Sequence, residues 1–291
     1  ARALFNWVTL EGQKLLGVGT NLKMYIEKGG VYFDITPERT PSGVSLTDPF
    51  TTVSGSTTVT VTDANGGYVN GDFVTFSGAS AVGGLTLNGE FQITYSTGNT
   101  YTIESSSAAS SSATGGGSVT AKYQLNVGPE FAVPLVGWGA GGWSEGTWGN
   151  GAVSTDSLRL WSQSNFGEDL VFGPRGNSIY YWDATNGLTT RAVELSALSG
   201  ASNTPTKQNF ILVSDVSRFV FCFGANTLGT STQDPMLIRW SDQEDVVNWT
   251  PSATNQAGDL RLSQGSEIIG ALQARQEILV FTDSALYALQ Y

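Results

Sequence analysis

Residues 168–183 read EDLVFGPRGNSIYYWD: an apolar run at 170–172, a turn holding Gly173, Pro174, Gly176 and Asn177, and a second apolar run that ends in aromatics. The same order recurs three times, as KLLGVGTNLKMYI at 14–26, RFVFCFGANTLGTSTQDPMLIRW at 218–240 and EILVFTDSALYALQY at 277–291. Each stretch predicts a β-hairpin, a buried strand turned by Gly, Asn, Ser or Asp into a second strand carrying Tyr or Trp. One such hairpin cannot bury both of its faces, so recurrence implies stacking of sheets. For antiparallel strands the expected architecture is a β-propeller.

Composition agrees with an all-β chain. Of 291 residues 36 are Gly and only 13% are charged, which suits short strands and tight turns. Helical periodicity is weak. Residues 192–198 allow a turn or two, and residues 260–276 carry a faint amphipathic pattern interrupted by Gly265 and Gly270. No apolar run has membrane-spanning length, and the opening ARALFNWVTL lacks a secretory h-region. The chain starts and stops in hairpin-like sequence, so it is expected to be a portion of a longer one with blades left incomplete.

Between Pro49 and Tyr123 charge becomes scarce and period-2 alternation takes over. TTVTVTD, FVTFSG, FQITYS, TYTIES and VTAKYQ read as five strands of a small β-barrel or sandwich, although Phe73 and Phe76 break the alternation by one step. The expected division is therefore a first propeller segment at 1–48, an inserted barrel at 49–123, and continuing blades at 124–291. The Ser/Ala/Gly stretch at 105–118 reads as a long exposed loop crossing to the last barrel strand, either a contact loop or a solvated spacer. A Gly-rich loop follows at 137–151, in which Trp138, Trp143 and Trp148 recur every five residues. Five matches neither helix nor strand, so these indoles are candidates for a contact with a neighbouring subunit, for sugar stacking, or for capping their own blade.

The residue inventory removes many chemistries. With no His and one Cys, Ser-His-Asp and Cys-His nucleophiles and multi-thiolate zinc sites are excluded. Gly17 and Gly19 flank a strand residue, yet no G-x-G-x-x-G opening a helix follows. Cys222, within FVFCF, reads as a small buried core residue. Carboxylate chemistry remains open at Asp169, Asp183, Glu194, Asp234 and the cluster Asp242, Glu244 and Asp245. Asp183 opens DATNG, an Asx-type turn, and SDQED falls between strands, so the cluster is expected to form a blade turn or to face a channel. The turns at Asp63 and Asp183 lack the alternating acids of a calcium loop, and no metal or cofactor is assigned.

The net charge of −11 lies beyond Asp48, since residues 1–50 hold five acids and five bases. Such a chain is not built to neutralise phosphates, although an acidic passage lets DNA slide without sticking.

IRWSDQEDVVNWTP, followed by GDLRLSQGSEIIGALQARQEILVFTDSALYALQY, resembles tail proteins of short-tailed bacteriophages. KLLGVGTNLKMYIEKGGVYFDITP and the Gly/Trp loop share in the likeness, and VNGDFVTFSGASAVGGLTLNGEFQIT is similar to barrel modules of phage structural proteins. The family suggested is the tail nozzle, also called tail tubular protein B, or the related hub. The resemblance implies a propeller-containing subunit of a homo-oligomeric ring, six copies in the nozzle, that continues the portal and adaptor channel and guides DNA ejection. It also implies tail adaptor and fibre or spike proteins as partners, DNA as passing cargo, and no catalytic residues. The rival reading is a carbohydrate-binding or glycan-hydrolysing propeller, which needs aromatics and two carboxylates converging on one pocket; a cellular adhesion scaffold would differ in forming no closed ring.

Overall fold

A computed structural model describes residues 1–126, 128 and 158–290. The chain is all-β, a set of small propeller-type sheets with an inserted barrel-like domain, and divides into two compact units, Ala1–Ile35 with Gly128–Tyr291, and Thr36–Val127.

The first blade is a four-stranded antiparallel meander, β1 (Ala3–Val8), β2 (Lys14–Gly19), β3 (Met24–Lys28) and β4 (Val31–Asp34). The hairpin at 14–26 supplies its central pair, with Val18 opposite Tyr25. β2 is the best-buried strand of this blade, as its apolar sequence leads one to expect.

The second unit is one eight-stranded antiparallel sheet. Its strands are β5 (Val44–Thr47), β6 (Phe50–Thr52), β7 (Thr58–Thr62), β8 (Phe73–Ser77), β9 (Gly89–Thr97), β10 (Thr100–Glu104), β11 (Ala113–Gly115) and β12 (Ser118–Tyr123), in the order β11-β6-β7-β10-β9-β8-β12-β5. The two edges nearly close on each other: Asp48 N–H donates to Gly117 O, and Gly117 N–H donates back to the Asp48 carboxylate, both at 2.8 Å. Such closure protects edges that would otherwise offer unpaired backbone. Alternate residues fill the interior, among them Val59, Val61, Val74, Phe76, Ile93, Tyr101, Ile103, Val119 and Ala121. The break in alternation is resolved by turning Phe73 away while Val74 and Phe76 face the core.

This unit is wider than residues 49–123. β5 pairs with β12, and the two chain ends of the unit come together through a Glu38 to Gln124 bridge and a 2.8 Å bond from Leu125 N–H to Pro37 O. β5, β6 and β11 have three or four residues each, too few for a periodic signal. The Ser-rich stretch at 105–118 is not a free loop: Ala109 is buried and exchanges main-chain bonds with Gly55 and Ser56, Ser110 bonds to Gly83 O, and residues 113–115 form β11. Serine hydroxyls act there as local stitches to backbone rather than as a solvated spacer.

The second blade is β13 (Trp161–Phe166), β14 (Asp169–Pro174), β15 (Tyr180–Trp182) and β16 (Val193–Glu194). The third is β17 (Phe210–Val213), β18 (Val220–Phe223), β19 (Leu237–Trp240) and β20 (Gly258–Arg261), and the fourth is β21 (Ile268–Gln273), β22 (Glu277–Thr282) and β23 (Leu286–Gln290). All four hairpin repeats thus become the second and third strands of a blade. Residues 260–276 are not helical; they turn at Gly265 and pair as β21, with a bulge near Ile268. Residues 195–197 form one 3-10 turn.

First strands stack in sequence, β1 on β13, β13 on β17 and β17 on β21. This is how propeller blades meet at their inner edge. Two glycines permit the first junction: a Cβ on Gly17 would lie 2.2 Å from Gln163 Oε1, and one on Gly19 would lie 2.5 Å from the Trp161 ring. Trp161 is pinned in place by its Nε1–H bond to Thr20 O at 2.6 Å. Gly19→Ala is therefore expected to cost about 1–3 kcal/mol through overpacking, read as a lowered urea midpoint.

The second and third blades enclose Val171, Ile179, Ile211, Val220, Cys222, Leu237 and Trp249, and the third and fourth enclose Phe219, Phe221, Phe223, Ile238, Ile278 and Val280. Cys222 is fully buried, and burial pushes its thiol well above the ordinary value. A thiol reagent is expected to leave native protein unlabelled and to react only as blade three unfolds; labelling at the rate of an exposed thiol would contradict this.

Candidate functional site

Most of the candidate acids brace turns of the backbone, and Asp169 and Asp183 lie close together around Tyr181 and the Ala184 amide. Asp242 accepts from the amides of Gln243 and Gln256 at 2.8 and 2.9 Å, holding the turn after β19 to the approach of β20. Asp245 accepts from Val247 N–H at 2.9 Å, while Glu244 is exposed and left-handed at φ 55°. Asp183 accepts from Thr185 N–H at 2.8 Å and starts a 3-10 turn. Asp169 takes the Tyr181 hydroxyl and the Ala184 amide, and burial followed by this carboxylate raises the Tyr181 pKa. Asp234 accepts from Met236 N–H at 2.9 Å and pairs with Arg261 at 2.6 Å. No side-chain bond accompanies Glu194 at its turn. These are the roles short acidic side chains fill in turns generally. Among the described residues no group of three or more His, Cys, Asp or Glu is placed to hold a metal ion. Trp138, Trp143 and Trp148 lie outside the described residues.

A different set of side chains does converge. Leu158, Leu160, Arg175, Asn209, Gln233, Pro235 and Glu267 line an open cleft of about 330 Å³. Arg175 pairs with Glu267, Asn209 Nδ2 lies 3.5 Å from the same carboxylate, and Gln233 Nε2 donates to Asn209 Oδ1 at 2.9 Å. These residues come from turns and strand approaches of blades two, three and four. No local motif joins them, which is why the sequence did not mark them. Both partners of the ion pair are about one third exposed, 38% and 35%, so the pair adds little stability. Among the described residues the cleft offers the amides of Asn209 and Gln233 and the Arg175–Glu267 pair beside Leu158, Leu160 and Pro235. Glu267 is the one acid among the described residues of the lining.

No protein-family model matches the chain, and no curated protein matches it. Among solved structures it is similar to one described as Phage phi92 endosialidase, at 14% identity and a TM-score of 0.26, over 96% of this chain and 41% of that one. The chain spans less than half the length of that structure. Likeness at this level leaves its function to be read from its own residues. No helix among the described residues is long and apolar enough to cross a membrane.

Proposed function

We propose that this chain is a structural subunit of a short phage tail, part of a ring-shaped nozzle or hub that continues the portal channel and guides DNA during ejection. The observation that carries the reading is the use of the acids: Asp169, Asp183, Asp234, Asp242 and Asp245 all brace turns between blade strands. A rigid scaffold with acidic turns suits a passive conduit, because its surface repels phosphate instead of binding it. The order of motifs along the chain supports the tail assignment. In this reading the chain is not an enzyme, its copies form a ring of six, and its partners are the tail adaptor and the fibres or spikes. Trp138, Trp143 and Trp148, with the barrel, are the places where neighbours attach.

Density for the barrel and blades in a map of an intact short-tailed virion, repeated around the tail axis below the adaptor, is the expected result. Tails assembled without this chain that keep the ring complete would overturn the proposal.

The rival reading, carbohydrate binding by the blades, would rest on the amide groups of Asn209 and Gln233 in the cleft, whose described lining brings one acid and no aromatic ring. Asn209→Ala together with Gln233→Ala would then abolish retention on the glycan without unfolding the chain. Failure to retain any neutral oligosaccharide removes this alternative.

A further inference from the structure

Four Asn-Gly pairs lie among the described residues: Asn65–Gly66, Asn70–Gly71, Asn88–Gly89 and Asn186–Gly187. Each is a candidate for loss of the side-chain amide, because glycine has no side chain to shield its main-chain nitrogen from the Cγ of the asparagine before it. All four asparagines are exposed, so access of water does not choose between them. What differs is the hydrogen bonding of the attacking nitrogen and of the side chain it must reach.

Three of the pairs are restrained. Gly71 N–H donates to Ile93 O at 2.8 Å, and Asn70 Oδ1 accepts from the amide and hydroxyl of Ser96 at 2.7 and 2.9 Å. The Asn88 side chain is pinned at both ends to one residue, accepting from Ala79 N–H at 2.9 Å and donating to Ala79 O at 3.0 Å. Gly187 N–H donates to Ala184 O at 3.2 Å. At the fourth pair Gly66 N–H has no acceptor among the described residues. The Asn65 side chain is held only through its nitrogen, which donates to Asp63 Oδ1 at 2.6 Å and leaves Cγ and Oδ1 unengaged. Asp183 holds Asn186 in the same way at 3.0 Å, so between these two the glycine amide decides.

We infer that Asn65 is the first of these asparagines to convert to aspartate and isoaspartate, and that its conversion loosens the barrel. Gly66 N bonds to Asn65 Cγ and gives its proton to solvent; Nδ2 takes a proton from solvent and leaves as ammonia, closing a cyclic imide. Water then opens the imide at either carbonyl, to aspartate or to isoaspartate, whose main chain runs through the former side-chain methylene. The new carboxylate lies beside Asp63, which is 1% exposed and accepts from the Tyr123 hydroxyl at 2.6 Å. A donor to Asp63 is lost and a like charge arrives next to it. Isoaspartate also lengthens the main chain at the Asn65 amide, which donates to the same carboxylate at 2.8 Å. This inference stands on hydrogen bonds within the barrel and not on the tail reading.

Incubation of the purified chain at mildly alkaline pH tests it, with peptide mapping by mass spectrometry and an isoaspartyl methyltransferase as the probe. Conversion of Asn65 is expected to lead that of Asn70, Asn88 and Asn186 at least about fivefold, the slowing that one hydrogen bond to be broken before reaction imposes on the others. In urea the four rates converge, because the bonds that separate them are gone. Asn65→Asp, which supplies one product outright, is expected to lower hydrogen-exchange protection of the β7 and β10 amides and to leave the blade amides unchanged. Earlier conversion at any of the other three, or a lead for Asn65 that persists in urea, overturns the assignment of the site. Unchanged protection, both in Asn65→Asp and in the aged chain, overturns its effect on the barrel.

Discussion

Replacing Arg239 with alanine is expected to destabilise the chain by about 3 kcal/mol or more, one of the two largest single effects in the molecule. Arg239 sits in β19 at 1% exposure, facing the second blade beside Cys222. Its guanidinium donates to the main-chain carbonyls of Asn203 and Asn226, which belong to two different turns. Asn203 is held in a left-handed conformation at φ 52°, and Asn226 is itself buried, accepting from Thr206 N–H at 2.9 Å and donating to Thr230 O at 2.6 Å. Burial lowers the Arg239 pKa, and the charge of Asp259 across the strand pair works against that. Truncation would leave two carbonyls without their donor and open a cavity between blades. Arg239→Lys is expected to recover only part of the loss, since an ammonium does not reproduce the planar fork that reaches both carbonyls. Urea denaturation of the three proteins measures the order. A midpoint for Arg239→Ala within error of the unaltered chain would show that the network contributes nothing.

The second large effect is expected in the barrel. Asp63 is 1% exposed and accepts from the main-chain and side-chain nitrogens of Asn65 at 2.8 and 2.6 Å and from the Tyr123 hydroxyl at 2.6 Å. Tyr123 lies 2.8 Å from the Tyr101 hydroxyl, and Tyr68 donates to Asp63 O at 2.9 Å, so three phenols and one carboxylate share a buried network. The rings pack as well, Tyr68 against Tyr101 with centroids 4.5 Å apart. Desolvation raises the pKa of all three tyrosines. Removing the carboxylate strips hydrogen bonds worth about 1.5–3 kcal/mol each when one partner is charged, so Asp63→Ala should cost about 3 kcal/mol. Tyr123→Phe keeps the ring packing and should cost about 1–2 kcal/mol. Hydrogen exchange of the β7 and β10 amides is the direct readout, because it reports the barrel separately from the blades. Unchanged protection in Asp63→Ala would refute the assigned role.

The hairpins were legible because their signal is local. Strands two and three of a blade carry its best-buried apolar residues and pair as neighbours in sequence, so they appear as paired apolar runs. The outer strands were not legible: β16 has two residues and β20 is largely exposed, leaving no period to read. β1 alternates in burial and β21 is broken by a bulge near Ile268, and a single strand does not announce which sheet it joins. The faint helical pattern at 260–276 arose from strand residues on either side of a glycine turn, and tertiary pairing overrode it. The Ser-rich stretch was misread for a related reason, since composition records solvation preference and not the carbonyls that happen to lie within reach.

The acids show the same division. That Asp183 opens an Asx turn follows from its neighbours in sequence, and the structure bears this out. That Asp63 meets Tyr123, 60 residues away, follows only from strand register within the barrel. The convergence of Arg175, Asn209, Gln233 and Glu267 likewise depends on which turns lie side by side once the blades stack. By itself, then, the sequence determined the all-β class, the repeated blade hairpin and the absence of histidine or multi-thiolate chemistry, because these depend on residue types and on periods of a few residues. Only the tertiary structure decided which strands complete each blade and which acids are occupied, because each of those depends on the neighbours that register and stacking bring from far along the chain.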